Sequence, residues 1–475
     1  MQVKRTVNQP IHILIMFLEE RRGRVKKILI LVWPEVSAYN ATFRLARILS
    51  QRGYGVVYAV PTRWVDHVTR QGFQTVCFDL TLDVSSASIG NSSYEQLIQN
   101  LCTSLAPIKA NGFALVLLYA TLWHYALVLR RFHIPHLLIN PCLASSWSLD
   151  IPPLFSSLQP LSAHRLLNGL RCAKAWFLLR YFGCFNHRYR GIIQPASADG
   201  QGRLRDVGVT VRHFVTTLFE AFRKPVYYGL LRCARQEGIE IRWGDYGDRL
   251  LGADLVLGPQ EIDFPRLPTP HRRVYVGACV DTERLEASFD WSRINEQKPL
   301  VYCAVGSHGS YWAQENRLRL INSVVEAFAA RPEYQLLLQT ADERESENFG
   351  SRSGNILAAQ WFPQLRVLSR ALFMIGHGGF GMVREALFYG VPMIVFPFGV
   401  DQPGNAARVA WSQVGLVGDI RTVTPEIINT LVDRIERPPY RDNAAKLSKA
   451  LQRENDCREA LVLIDEILSE VEKAG

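Results

Sequence analysis

The sequence predicts an α/β protein made of two doubly wound halves that face each other across a cleft. Three observations carry this. Short apolar runs alternate with amphipathic stretches, in the order of parallel strands joined by helical crossovers, and the pattern occurs twice. A proline-rich segment, Phe264–Pro265–Arg266–Leu267–Pro268–Thr269–Pro270, separates the two occurrences and reads as a linker. In the second half a glycine-rich turn, Gly376–His377–Gly378–Gly379–Phe380–Gly381, joins an apolar run to a helical pattern. Such sheets bind ligands at the carboxyl ends of their strands.

The ordered pattern begins at Lys26–Lys27–Ile28–Leu29–Ile30–Leu31–Val32, with a first strand over Ile28–Val32. A helix over Asn40–Gln51 spaces Phe43, Leu45, Ala46 and Leu49 on one face, and Gly53 ends it. Strands follow at Val56–Val60 and Val76–Phe78, then an apolar run at Phe113–Leu118, a helix over Thr121–Phe132 and a strand at His136–Ile139. Leu161–Arg190 mixes Arg165, Arg171, Lys174, Arg180, Arg188 and Arg190 with leucines and aromatics. It reads either as a solvated helix with one buried face or as a segment that lies on an anionic membrane or over an apolar acceptor. The second half offers strands at Pro299–Val305, Gln335–Gln339, Ile356–Ala359, Ala371–Ile375 and Pro392–Phe396. Helices are expected over Asn316–Ala330, after Gly381 with Leu387 and Phe388 inward, and across most of Asn443–Val471.

The 475 residues are 48% hydrophobic and 21% charged, enough for two or three domains with ample core, and the net charge of +10 favours anionic partners. The nine cysteines are scattered without a C-x-x-C pair, as in a reduced cytoplasmic chain lacking disulfides or structural zinc. No apolar run reaches the roughly 18 residues that span a bilayer. Ile11–Leu18 is followed by Glu19–Glu20–Arg21–Arg22 and lacks a small-residue cleavage site, so residues 1–25 read as an extension rather than a signal peptide. The absence of G-x-x-x-x-G-K-[ST] argues against a P-loop enzyme, and no nucleic-acid-binding module is recognisable.

The glycine turn aims free backbone N–H groups and a helix dipole at whatever sits above it, which suits a phosphate. Around it stand Trp361–Phe362–Pro363–Gln364 and Pro397–Phe398–Gly399–Val400–Asp401–Gln402–Pro403–Gly404–Asn405–Ala406–Ala407–Arg408. A tryptophan can stack on a base, a glutamate one turn into the helix can accept from ribose, and an Asp–Gln pair can bond sugar hydroxyls. For each of these residues a purely structural role is the competing reading.

The run W-x-P-Q, H-G-G, E-A-L-x-x-G-V-P, P-x-x-x-D-Q, N-A-x-R from Trp361 to Arg408 resembles the UDP-glycosyltransferases of the GT-B fold, especially bacterial macrolide-type and zeaxanthin-glucosyltransferase-like members. The resemblance implies two Rossmann-like domains: 26–262 binding an acceptor, a linker over 263–272, and 273–475 binding the donor, its last helix packing back on the first domain. It implies that Trp361 stacks on uracil and that Gln364 and Glu385 hold the base or ribose. His377 with Gly378, Gly379 and Gly381 would meet the diphosphate, Ser307 would line it, and Asp401 and Gln402 would bind the sugar. Met382 stands where the family has Ser or Thr, which removes one hydroxyl from the phosphate site. The implied partners are a nucleotide sugar and a hydrophobic acceptor. No metal or cofactor is expected, since the chain has no D-x-D pair to hold a divalent ion.

Such enzymes displace the donor's leaving group directly, and a histidine takes the acceptor's proton. Here Ser37–Ala38–Tyr39–Asn40–Ala41–Thr42 puts Ala38 at that histidine's place, and Tyr119 stands where its orienting aspartate belongs. Three explanations stay open. Glu35, Tyr39 or His124 could serve as base, the acceptor could be acidic enough to need little help, or the protein could bind a nucleotide sugar or a lipid without turnover.

Overall fold

The computed structural model describes residues 25–78, 94–182, 225–268, 272–306 and 314–474. The predicted roles of Ser307, Arg188 and Arg190, and nearly all of the N-terminal extension, lie outside the described residues.

The first half runs β1 (Lys27–Leu31), α1 (Val36–Gln51), β2 (Gly55–Val60), α2 (Thr62–Arg70), β3 (Gln74–Cys77), α3 (Tyr94–Ala110), β4 (Leu115–Tyr119), α4 (Trp123–Arg131) and β5 (His136–Asn140). It continues with α5 (Arg165–Phe182), α6 (Pro225–Gln236), an antiparallel hairpin of β6 (Ile241–Gly244) and β7 (Gly247–Leu250), then β8 (Asp254–Val256) and β9 (Arg273–Tyr275). The second half runs β10 (Leu300–Ala304), α7 (Gln314–Ala329), β11 (Gln335–Gln339), α8 (Glu343–Gly350), β12 (Ile356–Ala359), α9 (Gln364–Leu368), β13 (Ala371–Gly376) and α10 (Phe380–Phe388). It closes with β14 (Met393–Val395), α11 (Gln402–Trp411), β15 (Gly415–Val417), α12 (Pro425–Ile435), α13 (Tyr440–Arg453) and α14 (Arg458–Ala474).

Both main sheets are parallel. The first has the order β3-β2-β1-β4-β5-β8-β9 and the second β12-β11-β10-β13-β14-β15. In each, strand order reverses beside the first strand, between β1 and β4 and between β10 and β13. A crevice opens there because the connections leave in opposite directions. The strands at these points, β1 after Lys27, β4 and β10, are wholly buried, which is why they read as unbroken apolar runs.

Two differences from the sequence reading matter. Helix α1 starts at Val36 rather than Asn40, with Glu35 as its extended N-cap (φ −135°, ψ 145°), so Ala38 lies in the first turn. The first sheet does not stop at the prolines: β9 pairs in parallel with β8, so residues 273–275 belong to the first half. A strand of only three residues carries no readable period, which is why the boundary falls short. Helix α14 returns to the first half, where Ala460, Leu461, Ile464 and Leu468 join the core of the first sheet.

The halves are packed together. A second apolar cluster includes Leu143, Leu154, Phe155 and Trp176 from the first half and Tyr302, Phe380, Val383 and Leu387 from the second. A Cβ on Gly258 would fall 2.5 Å from the Phe380 ring, so the close approach there requires glycine. Arg384, buried on α10, donates to the Leu257 carbonyl at 2.9 Å.

Candidate functional site

Strand β13 delivers His377 to the carboxyl edge of the second sheet. Gly378 takes φ 82°, a conformation open mainly to glycine, and Gly379 is the extended N-cap of α10. A Cβ on Gly379 would stand 2.5 Å from His377 Nε2, and one on Gly306, just past β10, 2.7 Å from its Cε1. The imidazole therefore lies in a slot between the ends of β10 and β13, formed by two residues without side chains. The N–H groups of Phe380, Gly381 and Met382 open the helix beside it, and no acidic residue occupies that first turn. Met382 turns away from this mouth. It is buried, with Sδ so close to Gly376 that a Cβ there would meet it at 2.4 Å. The residue in the family's hydroxyl position thus packs the core.

One turn further, Glu385 is buried. Its Oε1 accepts from Arg284 Nη1 at 2.7 Å, and its Oε2 from Gln364 Nε2 at 2.7 Å and Arg284 Nη2 at 3.3 Å. Burial acts to raise the carboxyl's pKa, but the Arg284 charge and hydrogen bonds, with those of Arg384 and Gln364, hold it below the usual range. A carboxylate offers about four lone-pair sites, so these three bonds leave one on Oε1 for a further donor. Arg284 also pairs with Glu286 at 3.0 Å, and Glu286 in turn accepts from the Leu365 N–H in the first turn of α9 at 3.0 Å. Trp361, before α9, is half exposed, as a stacking surface must be. The structure thus brings Gln364 and Glu385 into contact. The sequence reading missed Arg284, because D-T-E-R-L-E lies in irregular chain with no periodic signal.

Asp401 and Gln402 open α11. Gln402 Oε1 accepts from Phe398 N at 2.8 Å and Gly399 N at 3.3 Å, which closes the preceding turn and leaves Nε2 as its remaining donor group. Asn405 Nδ2 bridges Asp401 Oδ2 at 3.0 Å and the Gly378 carbonyl at 2.9 Å, tying α11 to the glycine turn. Asp401 is pushed up to about 6, mainly by burial and further by the charges of Asp245 and Glu35, against the Asn405 hydrogen bond. Arg408, the last residue of the motif run, pairs with Asp263 at 2.7 Å, both side chains buried, and lies 4.3 Å over the Phe264 ring. Its role is to clamp the second half to the first.

The opposite wall comes from the first sheet's reversal point. Ala38 and Tyr119 are buried there, and the Tyr119 hydroxyl lies 4.0 Å from Cys142 Sγ. Burial is the main reason that Tyr119, Cys142 and Tyr246 resist ionisation, and the charge of Asp401 adds to it. The three proposed bases differ. Tyr39 is buried among the rings of Tyr58, Trp64 and His67, and burial raises its hydroxyl well above its ordinary value. His124 is buried against Tyr125 and pushed down to about 3 by burial, too weak to hold a proton at neutral pH. Glu35, partly exposed at the N-cap of α1, is the one whose charge reaches Asp401.

Two Rossmann-like domains with their strand ends facing each other define the GT-B architecture. The solved glycosyltransferase of kitacinnamycin superposes on 94% of this chain and 100% of its own, with a TM-score of 0.64 at 21% identity. Residues 333–461 match the erythromycin biosynthesis protein CIII-like C-terminal domain. That part of the second half is thus similar to an EryCIII-like C-terminal domain, and less than half of the chain aligns with UDP-glycosyltransferases. Zeaxanthin glucosyltransferase of Pantoea ananas is 25% identical over 212 residues, 44% of this chain and 47% of that protein. UDP-glucuronosyltransferase 3A1 of Mus musculus is 31% identical over 225 residues, 46% of this chain and 42% of that protein. The chain thus aligns with about half the length of these curated relatives.

Proposed function

We propose that the protein moves a hexose from a UDP-sugar to a hydroxyl group of an apolar acceptor. The observation that carries this is the His377 slot at the N-terminus of α10, with the Glu385–Gln364 pair one turn away and the open face of Trp361 beyond. In this reading Trp361 stacks on the base, and the free lone pair of Glu385 accepts from the ribose. His377 and the first N–H groups of α10 meet the diphosphate, so its charge is balanced without a metal. Asp401 and the Gln402 amide hold the sugar hydroxyls. The acceptor oxygen attacks the anomeric carbon, the bond to the diphosphate oxygen breaks, and configuration inverts. The acceptor's proton passes to Glu35, and UDP leaves.

The test is UDP release from UDP-glucose, with and without a mixed pool of hydrophobic alcohols, carotenoids and phenols. Acceptor-stimulated release is expected, and it should vanish in Glu385→Ala and Asp401→Ala. Unaffected turnover in both variants would sink the assignment. A second reading rests on Ala38 and Tyr119, which leave the family's proton-transfer pair unfilled. It is a non-catalytic protein that keeps the donor pocket, and it predicts UDP binding without transfer across a panel of donors and acceptors. Robust transfer to any acceptor removes it.

A further inference from the structure

Helix α5 is apolar on both faces. Its inward side, Asn168, Cys172, Ala175, Trp176 and Leu179, is buried with the spacing of one helix face. The seat is firm: Trp176 Nε1 donates to the Ile151 carbonyl at 2.9 Å, and Asn168 Nδ2 to the Asp150 carbonyl at 2.9 Å. Its outward side should then be polar. Instead Leu166 is 82% exposed, Leu170 63%, Leu167 49% and Phe177 48%. The adjoining segment adds Trp147 and Leu149, both half exposed. A cluster of this kind on a folded surface marks an interaction site.

The charges on the helix indicate what covers it. Its 18 residues include Arg165, Arg171, Lys174 and Arg180 and no acid. Arg180 lies over the Trp243 ring at 5.2 Å, while Arg165 and Lys174 are exposed beside the leucines. Beside the helix an open depression of about 520 Å³ is lined by His164, Arg171 and Trp411. Two copies meeting through this face would bring like charges together. An anionic lipid surface would receive the leucines and phenylalanine in its acyl boundary and the cations among its headgroups. Among the described residues no helix is long and apolar enough to cross a membrane, so contact would be from one side.

We propose that the outward face of α5 docks the protein on an anionic bilayer. The loop on which α5 sits leads into the cleft: the Leu154 carbonyl accepts from Gly404 N at 2.7 Å, and Gln159 Nε2 donates to the Ala407 carbonyl at 3.3 Å. If the transfer reaction holds, docking would set the cleft beside the lipid phase, and the acceptor would be an amphiphile drawn from it. That extension rests on the proposed function. The docking itself does not, and it is measured without turnover.

The experiment is flotation of the full chain with phosphatidylcholine vesicles and with the same vesicles containing phosphatidylglycerol, at low salt. Binding to the anionic vesicles alone is expected. The triple variant Leu166→Ser, Leu170→Ser, Phe177→Ser keeps every charge and should weaken binding at least about tenfold, because affinity scales with buried apolar area as well as charge. Lys174→Glu with Arg165→Glu should weaken it as well, and thermal denaturation should show all variants folded. Equal binding by the serine variant would mean that the +10 net charge alone attracts the vesicles, and the proposal fails. No binding by the unmodified chain would also overturn it, whether another part of the chain or a protein partner then covers the face.

Discussion

The two strand-order reversals are alike in topology and differ in chemistry. At the β10–β13 reversal, two glycines make room for an imidazole, a helix opens with free N–H groups, and a buried Glu–Arg–Gln cluster lies one turn in. At the β1–β4 reversal the corresponding helix opens with Ala38 in its first turn, and β4 ends on a buried tyrosine. One wall carries groups suited to an anion, while the other presents an alanine and a buried tyrosine. A phosphate site depends on backbone geometry, which only particular residues permit. A proton acceptor is a single side chain, and it can be replaced without disturbing the fold.

If the walls act as one body, their clamp should matter most. Arg408→Ala leaves buried Asp263 with Arg266, Tyr275 and the Phe264 N–H, and should cost about 3 kcal/mol in urea denaturation. A loss within experimental scatter would mean that the Arg408–Asp263 pair adds nothing to the packing and the other hydrogen bonds between the halves. Next in size is the acceptor wall. Ala38→His should raise acceptor-dependent turnover by about a hundredfold if the missing base limits the rate. An unchanged rate with unchanged UDP binding would show that the wall works by other means. Third, Gly379→Ala drives a Cβ into the His377 ring and should weaken UDP binding about tenfold by titration calorimetry, the loss of one charge-assisted contact. The smallest effect lies between the walls. Asp401, raised to about 6 chiefly by burial, gains its proton as pH falls through that value, so turnover should halve near it. Between the ordinary aspartate pKa of about 4 and that value, the folded chain keeps a proton the unfolded chain has released, so this group costs stability as pH rises. An Asp401→Asn variant that retains the same acid limb would assign it elsewhere.

The order of strands and helices could be read because buried parallel strands are continuous apolar runs, and the glycine turn could be read because steric limits dictate its residues. Arg284, Arg384 and Asp263 were not readable. A buried arginine in an ion pair looks the same in sequence as one in water, and its partners lie far along the chain, as with Arg284 and Glu385 or Arg408 and Asp263. The end of the first sheet was hidden for a related reason, since β9 is defined by its pairing rather than by a pattern of its own. On helix α5 the mixture of cations and leucines was visible, but which of its faces is buried became clear only from Trp176 and Asn168.

The seam between the halves sets a rule for building chimeras. Two-domain proteins of this fold invite exchange at the linker, yet a cut within residues 263–272 would separate Asp263 from β9, strand Arg273–Tyr275, which completes the first sheet. A transplanted second half would also need Gly404 facing a carbonyl at the place of Leu154, and a terminal helix able to enter the first core through Leu461 and Ile464. The exchangeable unit is therefore discontinuous: a crossover placed after Tyr275 should also bring the first half's own α14, Arg458–Ala474, with it.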